Sequence, residues 1–256
     1  MALKSSSTPL DVVDRVILVI GKTGHGKSTL ANYIVGEKKF RATEGPDQGT
    51  PACSHWECSI ELVRDGKPVA CRVKVIDTPG YMHEETESRC RDQLKGVKEY
   101  IQKHAPLGVN TVLIAWKTER MTKTLRKSLK LMKSDMKLDT TCFAIALTNC
   151  DGYSDEERQS TIDTFFNHEK LRNVSSLIKR NEEGGKRRYI TVGFQDTKKL
   201  KEEMKKPFEE ENAKEQDELR KFLLLNEHFR EKKLKHEIFS LPFWERIRDW
   251  LHHIFS

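Results

Sequence analysis

The residues with the clearest chemical meaning form the segment GKTGHGKS at positions 21–28. It matches the pattern GxxxxGK[ST], follows the apolar residues 16–20 and precedes the helix-forming sequence LANYIVG. In such a loop, glycines let several N–H groups converge on phosphate oxygens, while Lys27 supplies positive charge and Ser28 a hydroxyl ligand for Mg²⁺. The segment therefore predicts binding of a nucleoside triphosphate with magnesium. The residues expected to contact it here are Gly21, Lys22, Thr23, Gly24, His25, Gly26, Lys27, Ser28 and Thr29.

A second chemically informative group, Asp77-Thr78-Pro79-Gly80, follows the β-branched residues 73–76. An acidic residue at the carboxyl end of a strand can hold the water shell of Mg²⁺, and a glycine N–H can approach a terminal phosphate because no side chain blocks it. We therefore expect Asp77 to bind Mg²⁺ through water and Gly80 to contact the γ-phosphate. The alternative is an ordinary proline turn at the end of a strand.

A third group, Thr148-Asn149-Cys150-Asp151, follows the apolar residues 142–147. The carboxylate of Asp151 could accept hydrogen bonds from both N1–H and the exocyclic amine of guanine, whereas adenine offers no such pair of donors. Asn149 stands where the usual guanine motif has lysine. Asn149 and Asp151 are therefore predicted to bind guanine, and an ATP-binding site or a plain loop turn at Asp151 remain the alternatives.

The elements that must position these groups are predicted from apolar runs. The candidate strands are residues 16–20, 57–63, 69–76, 111–116, 142–147 and 189–192. Asp65-Gly66 predicts a hairpin between the second and third runs, so these two strands should be antiparallel. Helix-like stretches separate the later runs. This alternation predicts an α/β fold with a mostly parallel six-stranded sheet and helices on both faces.

The C-terminal part of the chain has a different composition. Residues 198–237 carry nearly balanced lysine, arginine, aspartate and glutamate and no glycine, which predicts a long exposed helix or coiled coil. We accordingly divide the chain into a nucleotide-binding domain, residues 1–196, and a helical extension, residues 197–256. The extension ends in an amphipathic segment with Trp244 and Trp250 on its apolar side. That segment could fold back on the domain, contact a partner subunit or lie on a membrane surface.

Composition limits the class of protein. The chain has 256 residues and a formal net charge of +7, so a sizeable core is available and an anionic partner is permitted. Because the charges of the extension nearly cancel, no nucleic-acid arm is expected. The six cysteines form no CxxC pair, so neither a zinc site nor a disulfide framework is indicated. No signal peptide or membrane-spanning run is visible, which predicts a cytoplasmic protein, with peripheral membrane contact left open.

Taken together, these motifs resemble those of the GIMAP/IAN family of immunity-associated GTPases, relatives of septins and of chloroplast-import receptor GTPases. The resemblance covers residues 14–195 and includes two further stretches, residues 104–122 and residues 182–192. It implies a Ras-like P-loop GTPase domain that binds GTP or GDP with Mg²⁺ and forms dimers or oligomers through that domain. It also implies that Thr50 meets Mg²⁺ and the γ-phosphate, although a turn threonine before proline is the alternative.

Besides Asn149, the chain departs from GTPase patterns at two further places. Tyr81 follows Gly80 where Ras-like enzymes have the glutamine that orients water, so slow hydrolysis is expected and no catalytic group is assigned. The family's Phe-Asn-Asn is replaced by Val192-Gly193-Phe194, which leaves Phe194 as the substitute for contact with the base. The preferred function is a GTP-dependent switch that controls self-association. The alternative is a nucleotide-stabilised scaffold at a membrane surface with negligible hydrolysis.

Overall fold

The computed structural model describes residues 11–42, 52–80, 87–117, 142–167, 188–194 and 202–226, together with Glu245. Within these ranges the strands are β1 Asp11–Ile20, β2 Ser54–Arg64, β3 Lys67–Asp77, β4 Thr111–Lys117, β5 Phe143–Thr148 and β6 Tyr189–Thr191. The helices are α1 Lys27–Val35, α2 Glu87–His104, α3 Asp155–Asn167 and α4 Glu202–Arg220, and a π-helical turn, Lys221–Leu225, follows α4. Each of the six predicted strands is present.

The strands form one sheet in the order β2-β3-β1-β4-β5-β6. β2 and β3 pair antiparallel, and the other neighbouring strands pair in parallel. At the β2–β3 turn, Asp65 has φ 52° and Gly66 has φ 74°, the left-handed pair of conformations that a two-residue hairpin favours. The predicted α/β architecture, the mostly parallel sheet and the Asp-Gly hairpin are therefore confirmed.

One face of the sheet packs against α1. Ile17 and Val19 of β1 point to this face, where they join one buried cluster with Leu30 and Ile34 of α1. All four side chains are essentially inaccessible to solvent. Since fully burying a side chain of this size stabilises the folded state by roughly 1.5 to 3 kcal/mol, this layer holds the start of α1 firmly at the end of β1.

The other face of the sheet packs against α2. Leu18 and Ile20 alternate with the residues of the first face and are fully buried. His55 shares this second face because it pairs with Ile76, which in turn pairs with Leu18. The Nδ1 atom of His55 lies 2.7 Å from the hydroxyl oxygen of Tyr100 in α2. Helices therefore cover both faces, as predicted.

α4 differs from the predicted exposed helix because one of its sides is buried. Leu219 is buried, as are Leu223 and Leu224 of the following turn, and all three belong to the same core cluster as α1. Gln216 Nε2 donates to the carbonyl oxygen of Tyr33 over 2.7 Å, and Arg220 Nε donates to that of Ile34 over 2.9 Å. These bonds supply partners for carbonyls in the last turn of α1. The exposed charged residues lie on the outer side of α4, whereas Glu215 and Arg220 contact other elements of the protein.

Some predictions fall outside the described residues. These are the roles of Thr50 and Tyr81 and the amphipathic segment near the C-terminus. In the described part of the chain, no helix combines the length and the apolar composition needed to cross a bilayer.

Candidate nucleotide-binding site

The loop between β1 and α1 depends on glycine conformations. Gly24 and Gly26 have φ values of 81° and 78°, in the left-handed region that other L-residues rarely adopt. Gly26 immediately precedes Lys27, the first residue of α1, and its carbonyl accepts the first helical hydrogen bond, from Leu30 N at 2.8 Å. The helix therefore begins directly at the loop, so its unpaired N–H groups face the loop.

Lys27 is buried at the base of this loop. Its side chain is 5% exposed, and its Nζ donates to the main-chain oxygen of Lys22 over 3.0 Å. Burial lowers the pKa of Lys27 to about 8, while the nearby charge of Asp77 acts in the opposite direction. The ammonium group thus remains mostly protonated at neutral pH and provides a positive charge inside the loop.

Ser28 and Asp77 come together from different elements. Ser28 Oγ donates to Asp77 Oδ2 over 2.6 Å, and both side chains are buried. A hydroxyl and a carboxylate are hard oxygen donors, the chemistry that Mg²⁺ prefers. The predicted pair therefore fits a magnesium site at the junction of α1 and the end of β3.

Gly80 lies directly against the phosphate loop. A Cβ atom added there would come within 2.7 Å of both the main-chain nitrogen and the Cα of Thr23. Thr78, two residues earlier, donates from Oγ1 to the carbonyl oxygen of Val19 over 2.9 Å. Because no other residue fits without a shift of backbone, glycine is required sterically at this position.

His25 links the phosphate loop to two strand ends. Its Nδ1 accepts a hydrogen bond from Lys117 N at 3.0 Å, and its carbonyl oxygen accepts one from Thr148 Oγ1 at 3.1 Å. Burial lowers the pKa of His25 to about 3, and the charges of Lys22, Lys27 and Lys117 add to this shift. The imidazole is therefore neutral. The sequence predicted His25 as one of the loop residues that contact the nucleotide, and no local signal indicated this bridging position.

The loop after β5 carries Asn149 and Asp151. Asn149 adopts φ 67°, a left-handed conformation that asparagine tolerates better than most residues. Asp151 is largely exposed; partial burial raises its pKa, and the charge of Arg158 opposes the shift. This loop and the phosphate loop line one cavity of about 170 Å³. Its lining residues are Gly24, His25, Gly26, Thr29, Leu30, Lys117, Thr148, Asn149, Asp151, Val192 and Phe194.

Phe194 lies at the edge of this cavity, after β6. Its ring stacks on Tyr33 of α1, with ring centroids 3.3 Å apart and planes 8° apart. The neighbouring Gly193 donates its N–H to Glu215 Oε2 of α4 over 2.7 Å. The sequence did not identify Tyr33 or Glu215, since each is brought to the site by packing between elements distant in the chain.

A larger cavity, of about 590 Å³, lies elsewhere. It is formed by the middle of β1, by β2 and β3, and by the segment that follows α2, with Arg15, Lys74 and Leu107 among its lining residues. None of the three sequence motifs contributes to it. The smaller cavity is therefore the candidate nucleotide site, because it joins the phosphate loop to the loop of Asp151.

Comparison with known proteins identifies the family. A family model described as the AIG1 family matches residues 15–218. The chain belongs to the AIG1 family. One similar protein is the immune-associated nucleotide-binding protein 12 of Arabidopsis thaliana, 35% identical over 83 residues, which are 32% of this chain and 19% of that protein. Another is translocase of chloroplast 108 of Physcomitrium patens, 34% identical over 93 residues, 35% of this chain and 8% of that protein.

These matches confirm the resemblance to immunity-associated nucleotide-binding proteins and chloroplast translocases. The matched region covers less than a fifth of the length of each of these two relatives. Among solved structures, one of Toc33 from Arabidopsis thaliana is similar with a TM-score of 0.45 and 18% identity, over 70% of each chain.

Proposed function

We propose that this AIG1-family protein binds guanine nucleotide with Mg²⁺ and acts as a GTP-dependent switch that controls self-association, with slow GTP hydrolysis. The observation that carries the proposal is the shared cavity, which the phosphate loop lines on one side and Asn149 and Asp151 line on the other. Membership of a family with relatives named as nucleotide-binding proteins supports it.

In this proposal the loop from Gly21 to Thr29 holds the phosphates. Lys27 exchanges the carbonyl oxygen of Lys22 for a phosphate oxygen, and its position on α1 brings the charge to the anion. A Cβ atom at Gly24 would meet no atom within 4 Å, so the space around this position does not require glycine. The left-handed backbone conformation does. Gly80 approaches the same loop and is proposed to contact the γ-phosphate.

Mg²⁺ would be held by Ser28 directly and by Asp77 through water, with Thr50 as a further predicted ligand. When bound, the ion supplies positive charge that offsets the phosphates. Within the described ranges, no three His, Cys, Asp or Glu side chains cluster as a metal site. This fits an ion that takes most of its ligands from water and phosphate rather than from a protein cage.

Guanine recognition is assigned to Asp151. We expect Asp151→Ala to lower GDP affinity much more than ADP affinity, because only guanine presents two donors to the carboxylate. A lost pair of charge-assisted hydrogen bonds is worth on the order of 2 to 4 kcal/mol. Competition titrations with both nucleotides measure the change. Asp163→Ala is the matched control, since Asp163 is an exposed carboxylate on the adjacent helix α3.

Two results would contradict the assignment. In one, the parent protein shows no preference for GDP over ADP, which favours the alternative of an ATP-binding P-loop protein. In the other, Asp151→Ala weakens both nucleotides equally, which places the carboxylate away from the base. Unchanged binding by the Asp163→Ala control shows that the loss of a nearby negative charge is not the cause.

Self-association and hydrolysis are tested together. Multiple-turnover phosphate release per protein molecule should rise with protein concentration if a second copy completes the active site. A rate independent of concentration favours a slow monomeric switch, and no release favours a nucleotide-stabilised scaffold.

The domain division after residue 196 and the cytoplasmic location remain predictions. The burial of Leu219 against α1 favours including α4 in the nucleotide-binding domain.

A further inference from the structure

α4 reaches the base-binding side of the cavity through one buried carboxylate. Glu215 is 7% exposed although its neighbours Glu211 and Glu218 are exposed. Its Oε2 accepts the Gly193 N–H at 2.7 Å, and its Oε1 accepts a hydrogen bond from Arg158 Nη2. The two oxygens of one side chain thus bind two different segments, the segment after β6 and helix α3.

Arg158 extends this contact to the loop of Asp151. Its Nε donates to the carbonyl oxygen of Tyr153 over 3.2 Å, and its Nη2 lies 3.5 Å from that of Cys150. These two residues bracket Asp151 in the chain. The carboxylate of Glu215 therefore holds the guanine loop indirectly, through the guanidinium group.

The two loops also contact each other closely. Cys150 N donates to Val192 O over 3.2 Å. A Cβ atom on Gly193 would lie within 2.5 Å of the main-chain nitrogen of Asp151. A movement of one backbone segment must therefore move the other. Glu215 is bonded directly to Gly193 on one side of this junction and, through Arg158, to Cys150 on the other.

Glu215 interacts electrostatically with the two groups that it contacts. Burial raises the pKa of Glu215, while the Gly193 N–H and the Arg158 guanidinium lower it. Removing the carboxylate would leave the largely buried Arg158 charge without this counter-charge, and would leave the Gly193 N–H without its acceptor. Both groups would then seek other partners, and the loops that carry them would shift.

α4 holds the phosphate side of the cavity as well. Gln216 and Arg220, on the same helix as Glu215, donate to carbonyls in the last turn of α1, and α1 begins at Lys27 and Ser28. One helix therefore supports both the element that starts at the phosphate loop and the loops that line the base side.

We propose that Glu215 is a positioning residue for guanine recognition, which sets the loops of Asp151 and Phe194 and thereby couples the docking of α4 to the identity of the bound base. This inference rests on the proposed guanine binding. It assigns to α4 a second role besides packing. Because coupling is reciprocal, a helix that positions the loops of Asp151 and Phe194 must itself be stabilised when a base binds to these loops.

The test compares variants of the full chain by competition binding of GDP and ADP. Glu215→Ala removes both acceptors, whereas Glu215→Gln keeps a carbonyl oxygen for Gly193 and loses the charge opposite Arg158. Glu218→Ala is the control, an exposed glutamate on the same helix. We expect Glu215→Ala to lower the GDP-to-ADP affinity ratio by about tenfold or more, a typical size for coupling between sites, with Glu215→Gln intermediate and the control unchanged.

The affinity ratio separates positioning from general stability. If Glu215 has a purely structural role, Glu215→Ala lowers the melting temperature and weakens the binding of GDP and of ADP equally, so the affinity ratio does not change. That result overturns the inference. The proposed function still stands in that case if the parent protein prefers GDP. A parent protein without that preference overturns both. Partial recovery of the ratio in Glu215→Gln supports positioning, because the gain follows the restored Gly193 acceptor.

A second measurement needs no variant. Because coupling between binding sites is reciprocal, GDP should slow amide hydrogen exchange in residues 211–219 of α4 more than a saturating concentration of ADP does. Equal protection of α4 by the two nucleotides, in a parent protein that prefers GDP, overturns the inference even where Glu215→Ala fails to fold.

Discussion

The main-chain N–H of Lys117 donates to Nδ1 of His25 across 3.0 Å, and this bond determines the tautomer of the ring. Since Nδ1 is the acceptor, the neutral imidazole carries its proton on Nε2. Protonation of Nδ1 would remove the acceptor and add a fourth positive charge beside Lys22, Lys27 and Lys117. The bridge between the phosphate loop and β4 therefore exists only with an uncharged ring.

We predict that His25 makes the nucleotide-free protein less stable in mild acid. The pKa of His25 is about 3 in the folded protein against 6.5 as the ordinary value, so below pH 6.5 the unfolded chain binds a proton that the folded chain does not. The free energy of unfolding should then fall by up to about 1.4 kcal/mol per pH unit between pH 6.5 and pH 3. Well above pH 6.5, where the ring is neutral in both the folded and the unfolded chain, His25 contributes no pH dependence.

The comparison variant for this prediction is His25→Asn, whose Oδ1 can accept the Lys117 N–H and does not titrate. Urea unfolding at pH 7.5 and pH 5.5 should show a smaller loss of stability for His25→Asn than for the parent. An identical loss in the two proteins would mean that other groups cause the acid sensitivity and that His25 titrates normally.

A second prediction concerns the contact of Ser28 with Asp77. If Ser28 binds Mg²⁺, Ser28→Ala should abolish most of the dependence of GDP affinity on magnesium. The parent should bind GDP at least about tenfold more tightly in Mg²⁺ than in EDTA, and the variant almost equally in both, since loss of a ligand or its support typically costs 10- to 100-fold in metal affinity. Isothermal titration in the two buffers measures the ratio.

Ser59→Ala is the control for this experiment, because Ser59 is an exposed serine on β2. A Ser28→Ala protein that keeps the parent's ratio between Mg²⁺ and EDTA would remove Ser28 from the metal site. The hydrogen bond between Ser28 and Asp77 would then stabilise the folded protein without a role in metal binding.

The sequence predicted the parts of the site that depend on local chemistry. The β-branched runs of β1 and β3 predicted strands, and the left-handed glycines of the phosphate loop follow from the motif spacing. Asp65-Gly66 predicted its hairpin because the required turn has positive φ at two adjacent residues, which few dipeptides tolerate. In each case the signal and the structure lie within a few residues of each other.

The parts that the sequence did not predict depend on contacts between distant elements. Glu215 is one of several acidic residues in α4, and nothing local distinguishes it from Glu218, which is exposed. What selects it is the arrival of Gly193 and Arg158 on the same side of the helix. The apolar pair Leu219 and Leu223, four residues apart, indicates a buried helix face, whereas the balanced charges of the same segment indicate an exposed helix.

The last prediction concerns the contact between Gly193 and the loop of Asp151, which a substitution of Gly193 should disrupt. Its φ lies outside the left-handed region, so alanine meets no conformational penalty there and any effect is steric. A Cβ at this position would lie within 2.5 Å of the Asp151 main-chain nitrogen. Because the clash is with backbone, a side-chain rotation cannot relieve it. We expect Gly193→Ala to destabilise the protein by about 1 to 3 kcal/mol.

The matched substitution is Gly96→Ala in α2, where the added Cβ would meet no atom within 4 Å. Alanine is a better helix former than glycine, so this variant should gain roughly 0.5 to 1 kcal/mol. Urea unfolding of both variants measures the two free energies, and GDP competition measures binding. We expect Gly193→Ala to lose GDP affinity, since the displaced backbone carries Asp151, and Gly96→Ala to retain it. If Gly193→Ala keeps the stability and the GDP affinity of the parent, a Cβ atom at this position does not come within 2.5 Å of the Asp151 main-chain nitrogen, and the two loops lie farther apart.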